Sequence, residues 1–346
     1  MIFPPVSHII PWAKKSKMNI LVTGGAGYIG SHAVKTLLKN KHKVIIFDNL
    51  STGNKKLLNS KVKFYKGDLT NSKDIEKTFK KEKIDTVMHF AAFSQVGESF
   101  MDPQKYFYNN VYGSLNLFNA MLKANIKKII FSSTAAVYGE PIKIPITETH
   151  PLNPVNPYGI SKKIIEEILK EYDKSYGLKS ICLRYFNAGG ASKDHDIGEM
   201  HNPETHLIPL VLKTAKGERK QIEIFGTAWS TKDGTCIRDY VHVEDIIDAH
   251  ILALNYLQKK NTSDVFNLGT NRGYSVKEII QKCKDVTKID FKVEKSERRK
   301  GDPETLVASN AKAKKILGWE PKRTLHEIIE SAWDWEKSNN QSPKSN

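Results

Sequence analysis

Cysteine is scarce in this chain. Its 346 residues include three, Cys182, Cys236 and Cys283, and they lie far apart in sequence. That spacing excludes a disulfide framework and a zinc cluster, and it suits a reducing cytoplasm. Long apolar runs are missing too. No stretch approaches the roughly 18 residues that a membrane-crossing helix needs, so no membrane partner is expected. Arginine is the third scarcity, with seven among 54 basic residues. The formal net charge is +16, yet it is spread as lysine along the whole chain. No arginine-rich arm or base-stacking module accompanies it. The charge therefore reads as a solvated surface and not as a nucleic-acid interface. What the chain does have is 39% hydrophobic and 27% charged residues, enough for one large domain or two ordinary ones.

Residues 1–17 read MIFPPVSHIIPWAKKSK. Pro4, Pro5 and Pro11 interrupt the apolar part, and the lysines follow it, whereas a secretory signal places its charges first. The segment is read as an appended arm, with a targeting role as the alternative. The polar tail 339–346 is read as frayed.

Between these ends, short apolar runs alternate with amphipathic helical patterns. Strands are expected at Ile20–Val22, Val44–Phe47, Val62–Phe64, Ile84–Phe90, Lys128–Ser132 and Ser180–Leu183. Helices are expected near 28–40, 72–82, 104–124 and 157–176. Continuous apolar strands separated by such helices make a parallel sheet covered on both faces, an α/β doubly wound fold. Residues 18–186 are assigned to this sheet domain, with some later segments returning to it. After Asn187 the chain turns rich in Gly, Asp, His and Pro, and 187–338 is read as a smaller α/β substrate lobe. There are no internal repeats.

Thr23-Gly24-Gly25-Ala26-Gly27-Tyr28-Ile29-Gly30 follows the first strand and opens a helix. Glycine here permits a tight turn, lets a pyrophosphate approach bare backbone and lets helix and strand pack closely. Gly25-x-Gly27-x-x-Gly30 and Gly24-x-x-Gly27-x-x-Gly30 both fit the pattern. Asp48 ends the second strand, where a carboxylate accepts hydrogen bonds from ribose hydroxyls and repels a 2′-phosphate. The expected cofactor is therefore NAD and not NADP.

Tyr158-Gly159-Ile160-Ser161-Lys162 opens the long helix, and residues four apart share a helix face. A Lys162 ammonium beside Tyr158 would favour phenolate, and the positive charge of an oxidised nicotinamide would act in the same direction. Such a tyrosine removes a hydroxyl proton while hydride leaves the same carbon. Ser132, Ser133 and Thr134 end the fifth strand, the place where open α/β sheets bind ligands, and can bond to the reacting oxygen.

These motifs resemble the nucleotide-sugar 4-epimerases of the extended short-chain dehydrogenase/reductase family. The similarity runs from about Met18 to Trp335. It includes DNLSTG (48–53), HFAA (89–92), VGES (96–99), NNVYG (109–113), FSSTAAVYG (131–139), NPYGISK (156–162), RYFNAGG (184–190), DGTCIRDYVHVED (233–245) and RRKGDPE (298–304). The resemblance implies a Rossmann fold and an isomerase that interconverts UDP-galactose and UDP-glucose through transient oxidation at sugar C4. The NAD is tightly held, and the enzyme is a cytoplasmic homodimer, joined through the helices near 104–124 and 157–176. Tyr158, Lys162 and Thr134 are then catalytic. Gly24, Gly27, Tyr28, Ile29, Gly30, Asp48, Asn49, Asp68, Leu69, Phe90, Ala91, Ala92, Asn109, Ser132 and Tyr185 join Tyr158 and Lys162 around the cofactor. Asn187, His206, Leu207, Phe225, Arg238, Arg299, Asp302 and Leu306 join Thr134 around the UDP-sugar. No metal is expected.

The chain departs from the family in two places. Some members carry a lysine where Ser94 stands, and paired asparagines in the phosphate-holding turn where Glu204-Thr205-His206-Leu207 stands. The family position of Leu306 lines the sugar pocket near the 2-substituent. Leucine there points to UDP-galactose and UDP-glucose as main substrates, with slower N-acetylhexosamine turnover. A UDP-N-acetylglucosamine or dual-specificity 4-epimerase is the alternative reading. A nucleotide-sugar 4,6-dehydratase is more remote, because Ala135-Ala136 follow Thr134 where that family has an acid pair.

Overall fold

The computed structural model describes residues 17–299 and 301–338. The appended arm up to Ser16, Lys300 and the tail from Asn339 lie outside the described residues. The first half runs β1 (Asn19–Thr23), α1 (Tyr28–Lys39), β2 (Lys43–Asp48), β3 (Lys63–Lys66), α2 (Ser72–Lys81), β4 (Thr86–His89), α3 (Val96–Met101) and α4 (Pro103–Tyr106). A π-helical segment, Phe107–Tyr112, leads into α5 (Gly113–Lys123), β5 (Lys128–Thr134), α6 (Pro157–Tyr176) and β6 (Lys179–Tyr185). The second half runs β7 (Asn187–Gly189), α7 (Leu207–Ala215), β8 (Ile222–Phe225), β9 (Ile237–Arg238), β10 (Tyr240–His242), α8 (Val243–Lys260), β11 (Asp264–Leu268) and β12 (Tyr274–Ser275). It ends with α9 (Val276–Thr287), β13 (Val293–Ser296), β14 (Thr305–Leu306), α10 (Ala311–Leu317) and α11 (Leu325–Ser338).

Seven strands form one parallel sheet in the order β3-β2-β1-β4-β5-β6-β11. Strand alternation sorts the apolar run of β1 between two cores. Ile20 and Val22 face Val34 and Leu37 of α1, together with Ile246, Ala253 and Leu254 of α8. Leu21 faces the opposite layer, with Ile75, Leu117, Ile165 and Leu169 of α2, α5 and α6. Each such side chain contributes about 1.5–3 kcal/mol by leaving water. This is the Rossmann-like α/β architecture expected of the sequence. The stretch from α8 to β11 belongs to it: α8 packs beside α1, and β11 pairs with β6. The 186/187 boundary is thus crossed again by a later segment.

The second lobe gathers α7, α9 and α11 against β8 and β13. Its own core includes Ile208, Val211, Leu212, Ile279, Ile328 and Ile329. Helix α6 has a defined start and stop, and this fixes the position of Tyr158. The Asn156 side chain accepts from the Gly159 amide at 2.8 Å, and Pro157 presets the first turn. Gly177 ends the helix in the left-handed region at φ 67°.

Candidate functional site

A cleft of about 1400 Å³ opens at the carboxyl ends of the parallel strands, between the sheet and the second lobe. It exceeds the roughly 300–1,000 Å³ of ordinary small-ligand pockets. It therefore has room for a dinucleotide and a nucleotide sugar together. Every site residue expected from the sequence lines it except Phe225. Phe225 lies beneath Arg299 instead, with the guanidinium 3.7 Å from the ring centre. It supports a wall residue and is not itself on the wall.

At the nucleotide end, the structure chooses between the two glycine registers. Gly24 turns the chain, with φ 75°. A Cβ on Gly30 would lie 2.1 Å from the Gly24 carbonyl oxygen, so helix and turn touch through bare backbone. Gly27 caps α1 without a side-chain acceptor, and the first turn of α1 holds no acidic residue. The free N–H groups at this helix start thus remain available to an anion. Asp48 is buried, and its oxygens accept from the Ala26 amide at 3.0 Å and the Leu50 amide at 2.8 Å. Each carboxylate oxygen has two lone pairs and keeps one for a hydroxyl. Burial raises the Asp48 pKa, and the two amide bonds oppose that shift. Asn49 donates to Asp68 at 2.9 Å on the same wall.

At the chemical end, Tyr158 and Thr134 both line the cleft, and the Thr134 hydroxyl acts on the buried Tyr158 phenol to lower its pKa. Burial pushes Tyr158 up to about 12, against that downward pull. Lys162 is not among the groups that shift Tyr158 here. Lys162 Nζ donates to the Ser132 carbonyl at 2.8 Å and sits 4.8 Å from the Phe131 ring centre. Burial lowers Lys162 to about 7, and Glu166, one turn along α6, pulls it back up. Tyr185 and Ser132 are hydrogen-bonded through their hydroxyls, closing this corner. Arg238 and Asp302 face each other at 3.8 Å across the outer part of the cleft.

Comparison with known proteins agrees with this geometry. Residues 20–269 match the NAD dependent epimerase/dehydratase family. The chain belongs to that family. A UDP-glucose 4-epimerase of Lactobacillus helveticus is 53% identical over 93% of this chain and 98% of its own. A crystal structure of the Bifidobacterium longum UDP-glucose 4-epimerase with NAD+ and UDP superposes with a TM-score of 0.88. It is 37% identical and covers 93% of this chain and 99% of its own. The UDP-Glc/GlcNAc 4-epimerase of Campylobacter jejuni, at 44% identity, covers 93% of this chain and 99% of its own, with a TM-score of 0.81.

NAD is the cofactor of the family, and the residues here fit it. The bare helix start suits its pyrophosphate, and Asp48 suits a ribose diol.

Other wall residues had no motif to announce them. Arg219, just beyond α7, lines the cleft with Arg238 and Arg299, so three of the seven arginines converge there. Their scarcity in a lysine-rich chain was the available signal. The π-helical turn was not expected either. It turns the neighbouring Asn109 and Asn110 into a hydrogen-bonded pair at 2.9 Å. Asn110 also clasps the Phe93 backbone in both directions, at 2.9 and 3.0 Å, and reaches Ser161 at 3.1 Å. His206, read from sequence as a sugar-nucleotide contact, is held by Glu199. Burial alone would lower it, but Glu199 and Glu204 raise it to about 9.

Proposed function

We infer that this enzyme interconverts UDP-galactose and UDP-glucose at sugar C4, with tightly held NAD and no net oxidation. The observation that carries this reading is that Tyr158, Lys162 and Thr134 line the same cleft as the bare start of α1. Bound NAD supplies the hydride acceptor and donor. The chain supplies the rest. Tyr158, as phenolate, takes the proton from the 4-hydroxyl, and Thr134 holds that oxygen. Lys162 fixes the Ser132 end of β5, and when protonated it favours the phenolate. Tyr158 then returns the proton after the sugar has presented its other face. That turn needs a roomy pocket, and the cleft volume allows it. Arg219, Arg238 and Arg299 suit the diphosphate, because a guanidinium fork matches phosphate oxygens.

Ala135 and Ala136 occupy the turn after Thr134, and neither can transfer a proton, which disfavours water elimination. A slower second activity on N-acetylated UDP-hexoses is favoured by one observation. Leu306 reaches the cleft wall, and leucine is smaller than an aromatic residue. Two copies are proposed to associate through the face of Tyr108, Tyr112 and Tyr176, which are exposed. Tyr108 and Tyr112 stack with ring centres 5.2 Å apart. Galactose metabolism in the cytoplasm is the setting this reading implies, and the three free, buried cysteines are compatible with it. The test is to incubate purified protein with UDP-galactose and no added NAD. UDP-glucose is the expected product, and its absence refutes the reading.

A further inference from the structure

Glu199, His201, Glu204 and His206 lie in one loop that runs into α7. Their ligand atoms all lie within 4.8 Å of one another. The His201 Nδ1 is 2.9 Å from Glu199 Oε1, and the His206 Nδ1 bonds to that same oxygen. Glu204 stands 3.7 Å from His206 Nδ1 and 3.8 Å from His201 Nδ1. Both carboxylates are more than nine-tenths buried, with side-chain exposures of 7% and 4%. Among the described residues, their ion-pair partners are these two histidines, and no lysine or arginine reaches them.

Two buried carboxylates so close together repel each other: burial raises the pKa of Glu204, and Glu199 raises it further. One protonated histidine cancels half of their charge. A divalent cation would cancel all of it and satisfy four lone pairs at once. Neutral imidazole with carboxylate is a zinc-type donor set. A tetrahedral zinc shell at about 2.0–2.1 Å spaces its ligand atoms roughly 3.3 Å apart, so shifts of about an ångström or so would close this cluster around an ion. The sequence reading expected no metal, because its criterion was cysteine spacing and this cluster contains none.

We propose that Glu199, His201, Glu204 and His206 form a structural zinc-class site that fastens the loop before α7 to the rim of the cleft. Three of the four residues line that cleft. An ion there would stiffen the wall from His201 to Leu207 without entering the proton transfer. The site stands independently of the substrate assignment, because its readout is metal content.

The experiment uses the full chain with its bound cofactor, stripped with EDTA and then titrated with zinc alone. The expected result is one equivalent retained per chain after gel filtration, with a rise in Tm. Glu199→Gln and His201→Asn should each reduce retention at least tenfold, at unchanged NAD content. Cobalt in place of zinc should give the absorption of a tetrahedral site in wild type and lose it in both variants. Less than about a tenth of an equivalent in wild type would mean that protonated His206 alone balances the carboxylates, and it overturns the site. Retention in both variants equal to wild type would place the zinc elsewhere and overturns it as well. Should one variant fold poorly, the cobalt spectrum of wild type and the second variant still decide.

Discussion

The clearest handle on the chemistry is Thr134→Val. The substitution replaces a hydroxyl by a methyl of nearly the same shape. It removes the hydroxyl whose downward pull opposes the effect of burial on Tyr158, which stands at about 12. A phenol with that value is ionised on the order of one part in 10⁴ at about pH 8. A hydrogen bond to a charged group is worth about 1.5–3 kcal/mol, which at 1.36 kcal/mol per unit is roughly 1–2 pKa units. Removing it raises Tyr158 further. Because the base must be ionised to act, the ascending limb of activity moves to higher pH. At a fixed pH below that limb, kcat falls roughly 10–100-fold. The assay is kcat for UDP-galactose from about pH 6 to about pH 10, with NAD content and Tm measured alongside. Thr134 Oγ1 also accepts from the Ala136 amide at 3.1 Å, so a Tm lower by a few degrees is expected as well. Thr134→Ser keeps the hydroxyl and should track wild type. A Thr134→Val profile that superimposes on wild type refutes the assigned action of the hydroxyl on the base.

Three further outcomes follow from the geometry. Gly30→Ala puts a Cβ 2.1 Å from the Gly24 carbonyl oxygen, where only backbone can yield. Purified variant should release little NAD on denaturation, and wild-type NAD content would contradict the close approach. Glu166→Gln breaks a buried pair with Arg184, whose partners are 6% and 5% exposed, and should cost about 3–5 kcal/mol in urea unfolding. A loss under about 1 kcal/mol would show the pair to be dispensable. Leu306→Tyr should lower kcat/KM for UDP-N-acetylgalactosamine relative to UDP-galactose. An unchanged ratio would remove Leu306 as the gate.

Residues whose role is dictated by their chemistry were legible in the sequence. Nothing but glycine fits at position 30, and Asp48 at a strand end has few other uses, so both could be placed before any coordinates. Side-chain direction was not legible. The four-residue spacing put Lys162 on the face of Tyr158, but it could not say that the ammonium would reach across to the Ser132 carbonyl. Leu306 was read as a pocket residue, and it also packs with Tyr138 and Phe186 of the core while touching the cleft. Phe225 was placed at the UDP-sugar by the family resemblance alone, and its stacking under Arg299 depends on how two segments of the chain meet. The return of β11 was hidden by distance, since about eighty residues separate it from β6 along the chain. The cluster around Glu199 was hidden for another reason: its members are ordinary loop residues until the fold of that loop brings them together.

The late arrival of β11 bears on how such a protein could be shortened. A fragment ending near residue 186 would contain the glycine loop, Asp48, Thr134, Tyr158 and Lys162, nearly the whole set of groups proposed to bind NAD and react. Yet it would leave the long side of β6 without a neighbour, presenting a row of unsatisfied amides and carbonyls to any other strand. It would also strip α8 from the apolar flank of α1. The piece that carries the chemistry is therefore not a piece that can stand in water by itself. The second half of the chain acts first as a cover for the first half.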